Sequence, residues 1–263
     1  MTGTWHRYVA IGDSFTEGLS DADPEREDSF VGWADYLATA LDERPGADLQ
    51  YANLAVRGRM LADVVGEQLD TALAMSPDLV SMVGGGNDLL RPSVDLDALA
   101  TSLETAVVRI RATGADVLLA TPTDTKEAGI FRALRSRHAV HSANLFTIAQ
   151  DQGCHVVNLW GMRALRDWRM WSEDRIHLTT AGHQRVALAA LHALDIPVED
   201  QSWRDRLPPA PPTSRRQQLQ ETGGWAREHM APWIQRRLTG DSSGRLIQPK
   251  RPVLEPVRPP SQP

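Results

Sequence analysis

The chain has 263 residues, 41% hydrophobic and 24% charged, which is enough apolar material for a sizeable core in one or two domains. A net charge of −6 gives no reason to expect nucleic acid as a partner, and no apolar run approaches the ~18 residues of a membrane-spanning helix. The single cysteine, Cys154, excludes an intramolecular disulfide and any thiolate metal site; together with an N-terminus lacking a signal-peptide pattern, this points to a cytoplasmic protein.

Taken in order, Tyr8-Val9-Ala10-Ile11 is a short apolar run with the look of a buried strand, broken by Gly12 and followed by Asp13 and Ser14. Phe15–Ser29 carries Asp21, Asp23, Glu25, Glu27 and Asp28 and reads as a solvated acidic loop. Phe30, Trp33, Leu37 and Leu41 recur near a helical period and predict an amphipathic helix to Asp42. A second strand over Leu49–Asn53 leads to Arg57-Gly58, and a helix from Met60 to about Met75 stops at Ser76-Pro77. Leu79–Val83 is a third buried strand, followed directly by Gly84-Gly85-Gly86-Asn87-Asp88.

Beyond it, Asp95–Thr113 is helical with Leu96, Leu99, Leu103, Val107 and Ile110 on one face, and Val117–Ala120 is a fourth strand. Ile130–Gln152 predicts another helix and His155–Leu159 a fifth strand, while Trp160–Glu173 has no readable period. Thr179 or Thr180 caps a last helix to Leu194. Strand and helix alternate five times, and crossovers of this length join parallel strands, so the fold class is a three-layer α/β/α domain over residues 1–197.

The tail has a different character. Twelve of the 17 prolines lie from Pro197 onward, and residues 198–263 carry 11 basic and 7 acidic side chains against 17 and 27 in the rest. Leu219, Trp225, Met230, Trp233 and Leu238 suggest a helical appendage over 198–240 that packs on the body. Residues 241–263 read as an extended or disordered proline-rich end, whose removal should cost little fold or activity.

Acyl transfer through a nucleophile needs an activated hydroxyl, a base, a group to orient the base, and donors for the oxyanion. Ser14 follows the first strand, where ligands bind in open α/β sheets. Asp174 and His177 stand three apart, so a tight turn lets the acid hold one ring nitrogen while the other faces Ser14. Gly58 lies past the second strand and Asn87 past the third, and with the Ser14 N–H they make three candidate donors. Taken singly, each is an ordinary turn feature. His138 and His141 sit three apart on a helix but lack a third ligand, so no metal site is assigned, and His183 reads as a surface or packing residue.

The four blocks together, GDS at Gly12–Ser14, NLAVRG ending at Gly58, GGND at Gly85–Asp88 and DRIH at Asp174–His177, resemble the SGNH hydrolases, or GDSL esterases and lipases. The resemblance covers residues 8–194. It implies a flavodoxin-like fold with a five-stranded parallel sheet, no cofactor, and hydrolysis of a small-molecule ester by Ser14, His177 and Asp174. It further implies an oxyanion hole of the Ser14 and Gly58 N–H groups with the Asn87 amide, and a mainly structural role for Asp13.

Arg57, Leu89, Arg91, Thr123 and the Trp168–Trp171 region, Trp171 above all, are candidates for the substrate pocket. With no obvious large apolar lid, small or short acyl groups are expected. Acyl transfer, sugar or metabolite deacetylation, thioester or lysophospholipid hydrolysis, and a non-catalytic binding role on the same fold are the alternatives. The oligomeric state is not addressed by any of these features.

Overall fold

A computed structural model of the protein describes residues 4–209 and 247–257. Its centre is a six-stranded sheet in the order β5-β4-β3-β1-β2-β6. Five strands are parallel: β1 (Arg7–Gly12), β2 (Gln50–Asn53), β3 (Leu79–Val83), β4 (Asp116–Ala120) and β5 (His155–Val157). Helices cover both faces. The main ones are α2 (Trp33–Asp42), α6 (Leu96–Arg111), α7 (Arg135–Gln152) and α8 (Thr180–Ala193). The short helices are α1 (Ser14–Glu17), α3 (Leu61–Asp63), α4 (Leu69–Ala74) and α5 (Gly86–Leu89).

The apolar run of β1 follows from this layering. Alternate side chains of a strand point to opposite faces, and here both faces are buried. Tyr8 and Ala10 join the core beneath α2 and α8 with Trp33, Leu37 and Val186, whereas Val9 and Ile11 join the core beneath α6 and α7 with Val107 and Leu145. The Tyr8 ring stacks on Tyr51 at 5.0 Å, and its hydroxyl is satisfied by Ser81 Oγ at 2.8 Å. A central strand of this kind puts its carboxyl end, Gly12 to Ser14, at a fixed point on the sheet rim.

The sheet has six strands, not five, because β6 (Arg251–Pro256) pairs antiparallel with β2. This stretch lies in the segment read as an extended or disordered end. Without it β2 would present a row of unpaired backbone groups, and the two prolines, which cannot donate to a ladder, are tolerated at such an edge. Residues 210–240 of the expected appendage, including Trp225 and Trp233, lie outside the described residues; Trp203 ahead of them is buried in the core beneath α2 and α8.

The acidic stretch after Ser14 is also not simply a solvated loop. It begins as helix α1, and Asp21 is 2% exposed, accepting from Gly32 N and Thr180 Oγ1. Gly18 and Gly32 meet backbone to backbone, so a Cβ on Gly18 would sit 2.6 Å from Gly32 Cα. Beside them the buried Lys250, just ahead of β6, donates to the carbonyls of Glu17, Phe30 and Val31 and to Asp35. Strand β6 is thereby tied to the first turn after the candidate nucleophile.

Candidate active site

Four loops at the carboxyl ends of the strands converge on Ser14. Asp13 caps α1 with its side chain, accepting from Phe15 N at 3.0 Å, and this sets Ser14 at the first helical position. The strand end behind it is held by Gln68, which receives Gly12 N–H at 2.8 Å and donates to Gly12 O at 3.0 Å. Gln68 closes a π-helical turn, Val64–Gln68, between α3 and α4, where the wider turn interrupts the α-helical run. Gln68 is one of several polar residues in this segment, with Asp63, Glu67 and Asp70, so its sequence does not mark it as the one turned inward.

Across the rim, Asp174 and His177 lie in a turn closed by the Trp171–Leu178 bridge and by Ser172 N–H donating to His177 O at 2.8 Å. Asp174 Oδ1 accepts from Ser172 Oγ, Ile176 N and His177 N, while Oδ2 lies 2.6 Å from His177 Nδ1. Burial opposes its charge, but these hydrogen bonds and the adjacent imidazole outweigh it and hold the carboxyl well below the usual carboxylate range. His177 Nε2 lies 3.0 Å from Ser14 Oγ. A carboxylate on Nδ1 requires the proton there, which leaves Nε2 to accept from the serine hydroxyl.

Asn87 stands at the start of α5, whose Gly85 N-cap has a left-handed backbone at φ 93°. Its Nδ2 donates to Arg59 O at 2.9 Å and lies 3.3 Å from Asp13 Oδ2. Arg59 adjoins Gly58 and Asp13 adjoins Ser14, so one amide links the three loops that bear the candidate donors. Burial raises the Asp13 pKa to about 6, against the Phe15 N–H and the nearby His177, which favour its charge. Asp88 accepts from Leu61 N at 2.9 Å and acts locally in holding α3.

A cavity of about 190 Å³ opens at Ser14, Asn87 and His177. Its walls include Leu90, Phe131, Leu134, Leu165, Trp168 and Trp171. Of the pocket candidates, Thr123 and Trp171 line it, while Arg57, Leu89 and Arg91 do not. Arg57 is turned to Glu17, with Nη2 at 2.5 Å from Oε1 and its own backbone N–H at 2.7 Å from Oε2. Leu89 is buried in the core under α6, and Arg91 is exposed. The other walls, from Gly129–Leu134 and Arg163–Arg166, lie in tight 3₁₀ turns without an amphipathic period that a sequence could show.

The remaining histidines do other work. His183 is buried and accepts from Trp33 N at 3.2 Å, with burial pushing its pKa down to about 3. His141 is buried beside Gly85, and burial lowers it to about 4. Among the described residues no group of three or more His, Cys, Asp or Glu could hold a metal, and no helix is long and apolar enough to cross a membrane.

Residues 10–185 match the model of the GDSL-like lipase/acylhydrolase family. The chain belongs to that family. An acetylxylan esterase from Geobacillus stearothermophilus is 26% identical over 215 residues, spanning 73% of this chain and 95% of the relative. Among solved structures, an α/β hydrolase from the metagenome of Lake Arreo superposes with a TM-score of 0.63 at 26% identity, over 72% of this chain and 95% of that one. A variant acetyl xylan esterase from G. stearothermophilus shares the fold, with a TM-score of 0.64 at 23% identity over 76% of this chain and all of that one. This family member is a carboxylic ester hydrolase.

Proposed function

We propose that Ser14 is the nucleophile, His177 the general base and acid, and Asp174 the group that orients it. The observation that carries this is the unbroken relay from Asp174 Oδ2 to His177 Nδ1 at 2.6 Å and from His177 Nε2 to Ser14 Oγ at 3.0 Å. Ser14 Oγ attacks the ester carbonyl as its proton passes to Nε2, and the carbonyl oxygen gains charge. The N–H groups of Ser14 and Gly58 stabilise that oxyanion together with the Asn87 amide, which exchanges its long 3.3 Å contact to Asp13 for it; losing one such donor commonly costs roughly 10²–10³ in turnover. The imidazolium then protonates the leaving alcohol, giving an acyl-enzyme. Water, deprotonated by the same nitrogen, releases the acid and restores Ser14.

Deep apolar walls beside Ser14 favour an ester with a compact ring or short chain filling the cavity. The likeness to an acetylxylan esterase supports acetyl as the group transferred to Ser14, with the larger alcohol in the walled space. The test is hydrolysis of p-nitrophenyl esters of graded chain length by the protein and by Ser14→Ala, with fluorophosphonate labelling in parallel. The reading expects activity falling with chain length, and both activity and label lost in the variant. Equal rates in the two proteins would reject the serine mechanism.

A further inference from the structure

His138, on α7, lines the same cavity as Ser14 and His177. Its Nδ1 lies 3.0 Å from Thr123 O. A carbonyl oxygen only accepts, so Nδ1 carries the proton and, in the neutral ring, Nε2 carries a lone pair. Burial lowers the pKa of His138 and keeps it in that neutral form. Among the described residues Nε2 has no hydrogen-bond partner and is not fully buried, in a side chain that lines the cavity.

The acceptors beside His138 on this wall, Asp124 and Thr123 O, are committed. Asp124 is held by Arg135 Nε at 2.7 Å, Arg166 Nη2 at 2.8 Å and Lys126 N at 3.0 Å. Thr123 O is taken by His138 itself. Thr125, another residue of this wall, has its Oγ1 buried with no partner among the described residues. An apolar ligand covering Nε2 would strip its water and return nothing, whereas a hydroxyl placed there would replace that water.

We infer that His138 is a specificity-determining residue whose Nε2 accepts a hydrogen bond from a hydroxyl on the ester, so the enzyme prefers esters of hydroxylated molecules over their deoxy counterparts. This rests on the serine-hydrolase reading and adds to it the chemistry of the group that fills the cavity. The bound hydroxyl belongs either to the alcohol or to the acyl part, and paired probes separate the two.

The experiment measures kcat/KM for cyclohexane-1,2-diol monoacetate against cyclohexyl acetate, and for phenyl 3-hydroxybutyrate against phenyl butyrate. The expected result is a preference of about tenfold or more for the hydroxylated member of one pair, the size that one buried hydrogen bond sustains. In His138→Asn, whose amide can still donate to Thr123 O, that ratio should fall to near one whatever the absolute rates. Parity in both pairs for the unaltered protein, or a preference that survives His138→Asn, overturns the proposal.

Imidazole ¹⁵N NMR gives a second measurement that needs no turnover. An Nδ1–H tautomer of His138 at neutral pH supports the assignment, and an Nε2–H tautomer sinks it. Failure of the serine mechanism has its own signature, activity retained in Ser14→Ala, so the two readings fall separately.

Discussion

Replacing Lys250 by Met removes one of only two lysines in the chain and keeps the length of its apolar stem. The ammonium has three protons and four acceptors: Glu17 O at 2.7 Å, Phe30 O at 2.9 Å, Val31 O, and Asp35 Oδ2 at 2.5 Å. Its side chain is 7% exposed and that of Asp35 is 12% exposed. Burial pushes both groups toward their neutral forms, and each holds the other's charge against that push. The Lys250→Met variant would leave a buried carboxylate and three carbonyls without their donor. Removing one member of a buried pair costs about 3–5 kcal/mol, which is roughly 6–20 °C in Tm for a domain of this size.

The assay is urea unfolding of the protein, Lys250→Met, Asp35→Asn and the double variant. Asp35→Asn added to Lys250→Met should recover part of the loss, because no uncompensated charge remains. Lys250 also fixes the carbonyl of Glu17, whose carboxylate holds Arg57 beside Gly58, so fluorophosphonate should label folded Lys250→Met more slowly. A Lys250→Met protein within about 1 kcal/mol of the parent would refute the clamp, since surface lysine changes fall in that range. By the same reasoning deletion of residues 241–263, which takes β6 with it, should destabilise the domain rather than spare it.

Asp174→Asn should lower kcat by roughly 10³–10⁴ with KM little changed, because the amide favours the wrong imidazole tautomer; steady-state kinetics at saturating ester reads this. Gly18→Ala forces a Cβ to 2.6 Å from Gly32 Cα at φ 90°, and unfolding should show a loss of about 3 kcal/mol. Asp13 has a folded pKa raised to about 6, so its contribution to stability is full below pH ~4 and is lost as pH rises to about 6, up to about 3 kcal/mol. Asp174, held low, acts in the opposite sense and only in acid, adding stability above pH ~4 that disappears as its carboxyl is protonated. Unfolding free energies of the protein and of Asp13→Asn across pH 4–7 check this, and parallel curves would remove Asp13 as the source.

What the sequence made legible was whatever local pattern encodes. Continuous apolar runs marked β1 and β3 because both faces of a central strand are covered, and Thr179 announced α8 because a side-chain cap must precede the first turn. The site blocks were readable for a related reason: each sits in a short loop directly after a strand or before a helix, so placing the strands placed the loops. Arg57 faces Glu17, 40 residues away, and no local pattern pairs two charges at that separation. The walls from Gly129–Leu134 and Arg163–Arg166 escaped because 3₁₀ turns have no amphipathic period to detect. β6 escaped because an edge strand with prolines at 252 and 256 has the composition of a loose end. Lys250 is the limiting case: three of its four acceptors are backbone carbonyls, and since every residue supplies one, nothing in composition or spacing can mark which of them a buried cation will find.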